Sequence, residues 1–149
     1  MDIIEKLTSS LGLKLELSRS TQVLNAEPEE GARFLIIDET FTFVTVEGEY
    51  IPFIGSQPLL SMFPSARVDE GALKFLVNGA DVMRPGVISH DEWGKAGRIV
   101  IVRDQPKGRG IAVGRAMLDS KEMAEKTKGA CIKNLHHVGD RYWTLYKQI

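Results

Sequence analysis

Apolar residues recur along this chain in short runs, and their spacing changes character from one stretch to the next. In the first 24 residues Ile3, Ile4 and Leu7 have helical spacing, whereas Leu13, Leu15 and Leu17 alternate as a strand would, so this stretch fits either element. Asn25 to Gly31 is polar and punctuated by Pro28 and Gly31, which predicts a loop. Arg33 to Ile37 then reads as a strand. Phe41 to Val46 and Glu49 to Phe53 flank Glu47-Gly48 as a hairpin. Ser56 ahead of Gln57-Pro58 marks a helix start, running to about Phe63 and stopped by Pro64. These elements predict a small α+β unit over residues 1–67.

A second pattern begins at residue 68. Asp69 is a suitable N-cap for a helix over Glu70 to Asn78, in which Leu73, Leu76 and Val77 form an apolar stripe while Glu70, Lys74 and Asn78 lie four apart on the other side. Gly79 ends it. Val82 to Val87 leads into an extended segment with a turn, and Arg98 to Arg103 reads as a buried strand. Lys107 to Gly110 is a loop, and Ile111 to Met117 the next strand. Asp119 and Glu122 have the spacing of a capping box and open a short helix to about Lys128. Ala130 to Val138 and Arg141 to Tyr146 read as two closing strands joined at Gly139-Asp140 by a tight hairpin. Five or so short strands with two small helices predict a closed or nearly closed mixed barrel over residues 68–149, and an α+β chain as a whole. No Gly/Ser linker separates the two parts around Ala66 to Asp69, so they are expected to share an interface.

Composition narrows the function. The chain has 149 residues, 43% of them apolar, enough for a core without staples. Cys131 is the only cysteine, which rules out an internal disulfide and zinc sites built on paired cysteines, and it reads as a small buried hydrophobe. His136 and His137 are adjacent, so on a strand they point to opposite faces and cannot chelate one ion together; His90 has no second ligand at metal spacing. Neither a metal nor a cofactor is expected. Ser9-Ser10 and Ser18 to Thr21 have no base and orienting acid beside them, so no catalytic residue is assigned and the chain reads as a non-enzyme. Trp93, Tyr142, Trp143 and Tyr146 could stack on bases but read mostly as core. No apolar run approaches the length of a membrane span, and Met-Asp-Ile-Ile-Glu does not open a secretory signal; a cytoplasmic location is expected.

Net charge is −1, yet it is unevenly spread. Residues 1–70 hold 5 Lys+Arg against 12 Asp+Glu, or −7, and residues 71–149 hold 14 against 8, or +6. A basic half suits a polyanion and an acidic half a different partner.

Three stretches of the basic half, in order, carry a family resemblance. They are Val68 to Leu76 with Asn78 to Gly86, then Ala112-Val113-Gly114-Arg115-Ala116, then Lys128-Gly129 through Asn134 to Asp140 and Trp143. Together they resemble a PUA domain, the fold named for pseudouridine synthases and archaeosine transglycosylases. Upstream, Phe43 to Tyr50 followed by Pro58 and Phe63-Pro64 resembles the pre-PUA region of the malignant T-cell-amplified sequence family. The resemblance implies a pre-PUA domain over residues 1–67 and a PUA RNA-binding domain over 68–149. It also implies the role of a translation initiation or reinitiation factor, at the small ribosomal subunit and the acceptor end of initiator tRNA, with RNA held in a groove between the first PUA helix, the turn after it and the final strand.

The residues agree with that groove independently. Gly79 and Ala80, just past a helix end, leave the backbone open to a nucleotide, although glycine is also the commonest helix C-cap. Lys74 and Asn78 lead to the turn, and Arg84 beyond it offers a second cation for phosphate. The RNA-binding set expected is Lys74, Asn78, Gly79, Ala80, Asp81, Met83, Arg84 and Lys147. The bound RNA is expected to be tRNA or ribosomal RNA, and the acidic half is expected to meet the small subunit or an initiation-factor-like protein. Two rivals stand beside this reading: a guidance module for an RNA-modification enzyme on another chain, and a protein-interaction module without RNA affinity. One expectation is independent of all three. Elemental analysis of the purified protein should find no tightly held metal near one equivalent per chain.

Overall fold

The computed structural model describes residues 3–13 and 20–149. The alternation expected at Leu15 and Leu17 lies outside the described residues. The first unit opens with helix α1 (Ile3–Leu11), followed by an antiparallel sheet in the order β1-β2-β3-β4. These strands are β1 (Val23–Glu29), β2 (Ala32–Ile37), β3 (Phe41–Val46) and β4 (Glu49–Pro52), and the short helix α2 (Gln57–Leu60) closes the unit. The aromatic and β-branched runs of β2 and β3 supply its core, with Phe34, Leu35, Phe43 and Val44 fully buried. Glu47 and Gly48 have φ of 53° and 80°, the paired positive values of a two-residue hairpin turn. The loop expected over Asn25 to Gly31 is instead mostly strand. β1 pairs from Val23 with Ile37 to Ala26 with Phe34, and its register shifts before Glu29. An edge strand with a register break tolerates Pro28, whose missing N–H no neighbour needs there.

The second unit is a mixed six-stranded sheet in the order β6-β10-β9-β8-β5-β7. Its strands are β5 (Ser65–Val68), β6 (Val82–Met83), β7 (Val87–His90), β8 (Ile99–Asp104), β9 (Gly110–Ala116) and β10 (Ala130–His137). Helices α3 (Glu70–Leu76) and α4 (Ser120–Glu125) and a 3-10 turn at Arg84–Gly86 connect them. β5 runs parallel to β8, so this sheet draws a strand from just before residue 68. The Asp119–Glu122 capping box forms at α4. Val68, Leu76, Val82, Trp93, Val100, Met123 and Ile132 fill the barrel, together with Cys131, whose thiol burial pushes up to about 11.

Arg141–Tyr146 is not a closing strand but a helix, α5. Asp140 caps it, accepting from the Trp143 N–H at 2.9 Å. Helical spacing turns Trp143 and Tyr146 together toward Phe53, with ring centroids 6.1 and 4.5 Å away, whereas a strand would have sent residues three apart to opposite faces. α5 thus follows the barrel in sequence but packs on the first unit.

The two units meet along the outer face of β8 and β9. Val100, Val102 and Ala112 point into the barrel, while the alternating Ile99, Ile101 and Val113 belong to the core of the first unit. At Gly110 the backbone is bare because Leu60 Cδ1 would lie 2.9 Å from any Cβ. His136, fully buried, accepts the Ile54 N–H on Nε2 at 3.0 Å, so its Nδ1 carries the proton and donates to Asp140 at 2.7 Å. Glu47–Lys133, Glu49–Arg115 and Glu29–Arg141 ion pairs rim the contact.

Burial pushes the Asp140 carboxyl up, but hydrogen bonds from His136 and from the Trp143 and His137 N–H groups outweigh it and hold the group below the usual carboxylate range. A depressed folded value contributes stability that is complete above the unfolded value of about 3.9 and is lost as pH falls through the folded one. Asp140→Ala should therefore lower unfolding free energy at pH 7 by about 2–4 kcal/mol, from a lost cap and a lost charged hydrogen bond. It should also reduce the acid sensitivity of stability below about pH 4, both readable by denaturant titration across pH.

Candidate nucleic-acid interface

The sequence around α3 builds a groove with one side anchored and the other open. Asp69 accepts the Ala72 N–H at 3.0 Å, fixing the start of the helix, and Leu76 is fully buried beneath it. The expected apolar stripe is narrower than its sequence suggested, since Val77 is exposed at the C-cap. Gly79 has φ of +91°, and the N–H groups of Gly79 and Ala80 return to the carbonyls of Leu76 and Phe75 at 3.0 Å each. The turn is thus a helix cap whose donors are already committed. It offers a nucleotide space rather than free N–H groups.

That space is a groove of about 590 Å³, whose walls include Ala72, Phe75, Ala80, Met83, Gly86 and Ala130. Phe75 is 58% exposed and Met83 52%, large apolar surface that the fold leaves open to solvent. The Lys74 ammonium lies 5.1 Å from the Phe75 ring centroid, setting a cation against the aromatic face. The far wall is the start of β10, not residues 141–146.

The residues expected to bind RNA have different situations in this geometry. Ala80, Asp81 and Met83 line the groove, and Lys74, Asn78 and Gly79 stand at its helix end. The Asn78 amide donates to the Lys74 carbonyl at 2.7 Å. Asp81 accepts the Asn134 N–H at 2.9 Å, and Asn134 in turn clamps the Leu76 and Ala80 carbonyls through its amide at 3.0 Å each. Its own buried Oδ1 has no hydrogen-bond partner among the described residues. Arg84 is half-buried and occupied, donating to the Met123 carbonyl at 2.8 Å and the Val87 carbonyl at 3.2 Å. It braces the barrel. Lys147 caps α5, on the helix packed against the first unit, and the structure does not bring it to the groove.

Two residues that the sequence did not single out matter here. Phe75 sat between apolar Leu73 and Leu76, and its place off the buried side of the helix was the signal that could have marked it. Asn134 gave none, because its role arises from a register shift in β10. His137 also faces the turn: its Nδ1 meets the Val138 carbonyl at 2.9 Å, leaving Nε2 3.7 Å from where a Cβ of residue 79 would stand. Among the described residues no group of three His, Cys, Asp or Glu side chains could hold a metal ion, and no helix is long and apolar enough to cross a membrane.

Residues 64–138 match the PUA domain family. An uncharacterized protein of Methanocaldococcus jannaschii is 40% identical over 126 residues, 78% of each chain. Translation machinery-associated protein 20 of Schizosaccharomyces pombe is 38% identical, over 71% of this chain and 66% of its own. Human malignant T-cell-amplified sequence 2 is 30% identical over 67% of this chain and 63% of its own. Among solved structures, a hypothetical protein of Pyrococcus horikoshii aligns with a TM-score of 0.77 at 29% identity, covering 96% of this chain and 92% of that one. An H/ACA ribonucleoprotein bound to a substrate RNA aligns with a TM-score of 0.53 at 28% identity, covering 63% of this chain and 28% of its own.

The bonds of Arg84 set an expectation opposite to that of a phosphate contact. Arg84→Ala should cost about 1–3 kcal/mol of stability by stranding two carbonyls, and leave the salt dependence of RNA binding unchanged. Denaturant melts and binding isotherms at several salt concentrations would check both halves.

Proposed function

This chain belongs to the PUA-domain family, in the branch of the malignant T-cell-amplified sequence proteins, and from that footing we propose that it is a non-catalytic RNA-binding factor of translation. The observation that carries the reading is Phe75: a solvent-exposed aromatic ring beside a lysine ammonium, over an open groove in the basic half. A flat ring offers a stacking platform to an unpaired base, and an adjacent cation meets the phosphate that follows it. The relative named translation machinery-associated protein 20 supports a place in the translation machinery. A structured RNA with an unpaired end, such as the acceptor end of tRNA, suits a groove open on one side. The acidic unit would then meet the small ribosomal subunit or an initiation-factor-like protein, in the cytoplasm. No helix among the described residues is long and apolar enough to cross a membrane.

Titrating unfractionated tRNA into the full chain tests this. Phe75→Ala should weaken binding by roughly 1–3 kcal/mol with the salt slope unchanged. Lys74→Ala should reduce the slope by about 0.7–0.9. Ala80→Leu changes no charge and should weaken binding by filling the groove. Gly79 is a poorer probe, since its positive φ makes any replacement strained. If folded Phe75→Ala and Ala80→Leu proteins both bind like wild type, the groove is not the site. Affinity purification from the native cell should then recover small ribosomal subunits; recovery of an RNA-modification enzyme instead would favour the guidance role.

A further inference from the structure

A second cleft opens where the end of α1 faces the turn before β8. It has a volume of about 550 Å³, and its polar lining consists of Ser9, Ser10, Glu49, Lys95, Arg98 and Arg115. The cations come from separate positions that the fold brings together. Arg115 stands on β9 directly across from Ile99, and Lys95 and Arg98 flank the turn that precedes β8. That turn is braced on several sides: Gly94 N–H donates to Ser120 Oγ at 3.1 Å, Ala96 N–H to Asp119 at 2.7 Å, and Gly97 N–H to the Ala116 carbonyl at 2.8 Å.

Charge decides what such a cleft can take. Arg115 donates to the Gly97 carbonyl at 2.9 Å and is ion-paired with Glu49, the only carboxylate in the lining among the described residues. The Lys95 and Arg98 side chains are exposed and have no hydrogen-bond or ion-pair partner among the described residues. The lining therefore carries an excess of two positive charges, with the Ser9 and Ser10 hydroxyls as added donors. The one opposing element is the carbonyl end of α1, and there the Leu13 N–H already takes the Thr8 carbonyl at 3.0 Å. An anion with several oxygens fits this arrangement.

Position then selects among anions. Met83 pairs with Ala130 on β10, Ile132 pairs with Ala116 on β9, and the Ala116 N–H meets the Arg98 carbonyl at 2.8 Å, so the Met83 edge of the groove lies at the cleft's end of the barrel, while the Gly79 turn stands beside His137 toward the other. β6 and β8 are three strand spacings apart in the sheet, about 14 Å. Met117, which follows β9, is exposed to solvent. A strand of a few nucleotides bridges such a gap.

We propose that this cleft is a second RNA contact, a phosphodiester-binding site formed by Lys95 and Arg98 beside the Glu49-paired Arg115, that holds the backbone of the same RNA whose unpaired end occupies the Phe75 groove. The proposal rests on the RNA-binding reading above, but the two fail separately. It makes the seam between the units part of the RNA footprint, so the first unit contributes to binding despite its net negative charge.

The test uses the full chain and unfractionated tRNA across a salt series. Lys95→Ala/Arg98→Ala should lower affinity about tenfold or more at low salt and reduce the salt slope by about 1.4–1.8, two contacts' worth, with an unchanged melting temperature. Lys107→Ala/Lys147→Ala removes the same charge elsewhere, from a loop at the other end of the barrel and from the cap of α5, and should cost much less. Equal losses from the two double variants would overturn the cleft, showing a general charge effect. An unchanged slope in Lys95→Ala/Arg98→Ala, while Phe75→Ala still weakens binding, would overturn the cleft and leave the groove standing. Wild-type protein that binds no RNA would overturn both.

Discussion

The bond on which most of the molecule's geometry depends joins a backbone N–H in the first unit to a histidine ring in the second. Ile54 donates to His136 Nε2 in a place where neither group reaches water, and Asp140 fixes the ring from its other side. Removing either partner strands a buried polar group, which costs more than the bond itself contributes. The same Asp140 starts α5, so one carboxylate sets both the tautomer that accepts Ile54 and the direction in which the chain leaves the barrel. α5 then lays its aromatic residues on Phe34 and Phe53, and the C-terminal segment becomes part of the N-terminal core. Units joined by a shared core and a buried polar bond move as one body more readily than units joined by a linker.

This joint also accounts for part of the charge imbalance. Glu29, Glu47 and Glu49 of the acidic unit face Arg141, Lys133 and Arg115, so some of the opposition between the halves is spent inside the molecule. Exposed pairs of this kind contribute little stability individually. Their larger effect is on shape of the field: they neutralise the flank of the barrel against which the first unit lies and leave the cations at the barrel's end facing solvent. Lys95 and Arg98 are exposed there, and Lys74 is exposed beside the Phe75 ring.

Much of this was legible in the sequence because local chemistry and final structure agree. The Asp69 cap, the Glu47-Gly48 hairpin and the Asp119–Glu122 capping box each need only neighbouring residues, and each formed where its pattern lies. The strand expected over Arg141 to Tyr146 failed for a matching reason. Tyr, Trp, Thr and Tyr carry strand propensity, but the deciding contacts are with Phe34 and Phe53, about a hundred residues away in the chain. The polar stretch at Asn25 was misjudged because an edge strand with most of its surface in water has a composition like a loop's. At the groove, the residue types were readable but not their commitments. Nothing in the sequence distinguishes an arginine free to meet phosphate from Arg84, whose donors end on Met123 and Val87, and nothing announces Asn134 as the clamp beneath the turn.

Those commitments bear on how the groove recognises a ligand. The N–H groups of Gly79 and Ala80, the carbonyls of Leu76 and Ala80 and the Asp81 carboxylate are all engaged within the protein. A wall so satisfied is rigid and has few donors or acceptors left to read the edge of a base. What remains is the face of Phe75, the methionine surface beside it, the Lys74 charge and the free Nε2 of His137. Stacking tolerates any base and a lysine any phosphate, so recognition through this groove rests on an RNA that presents an unpaired nucleotide at the right distance from its backbone. Selectivity by shape follows from the hydrogen bonds that hold the turn together, since the groups that could have read sequence are the ones that make it stiff.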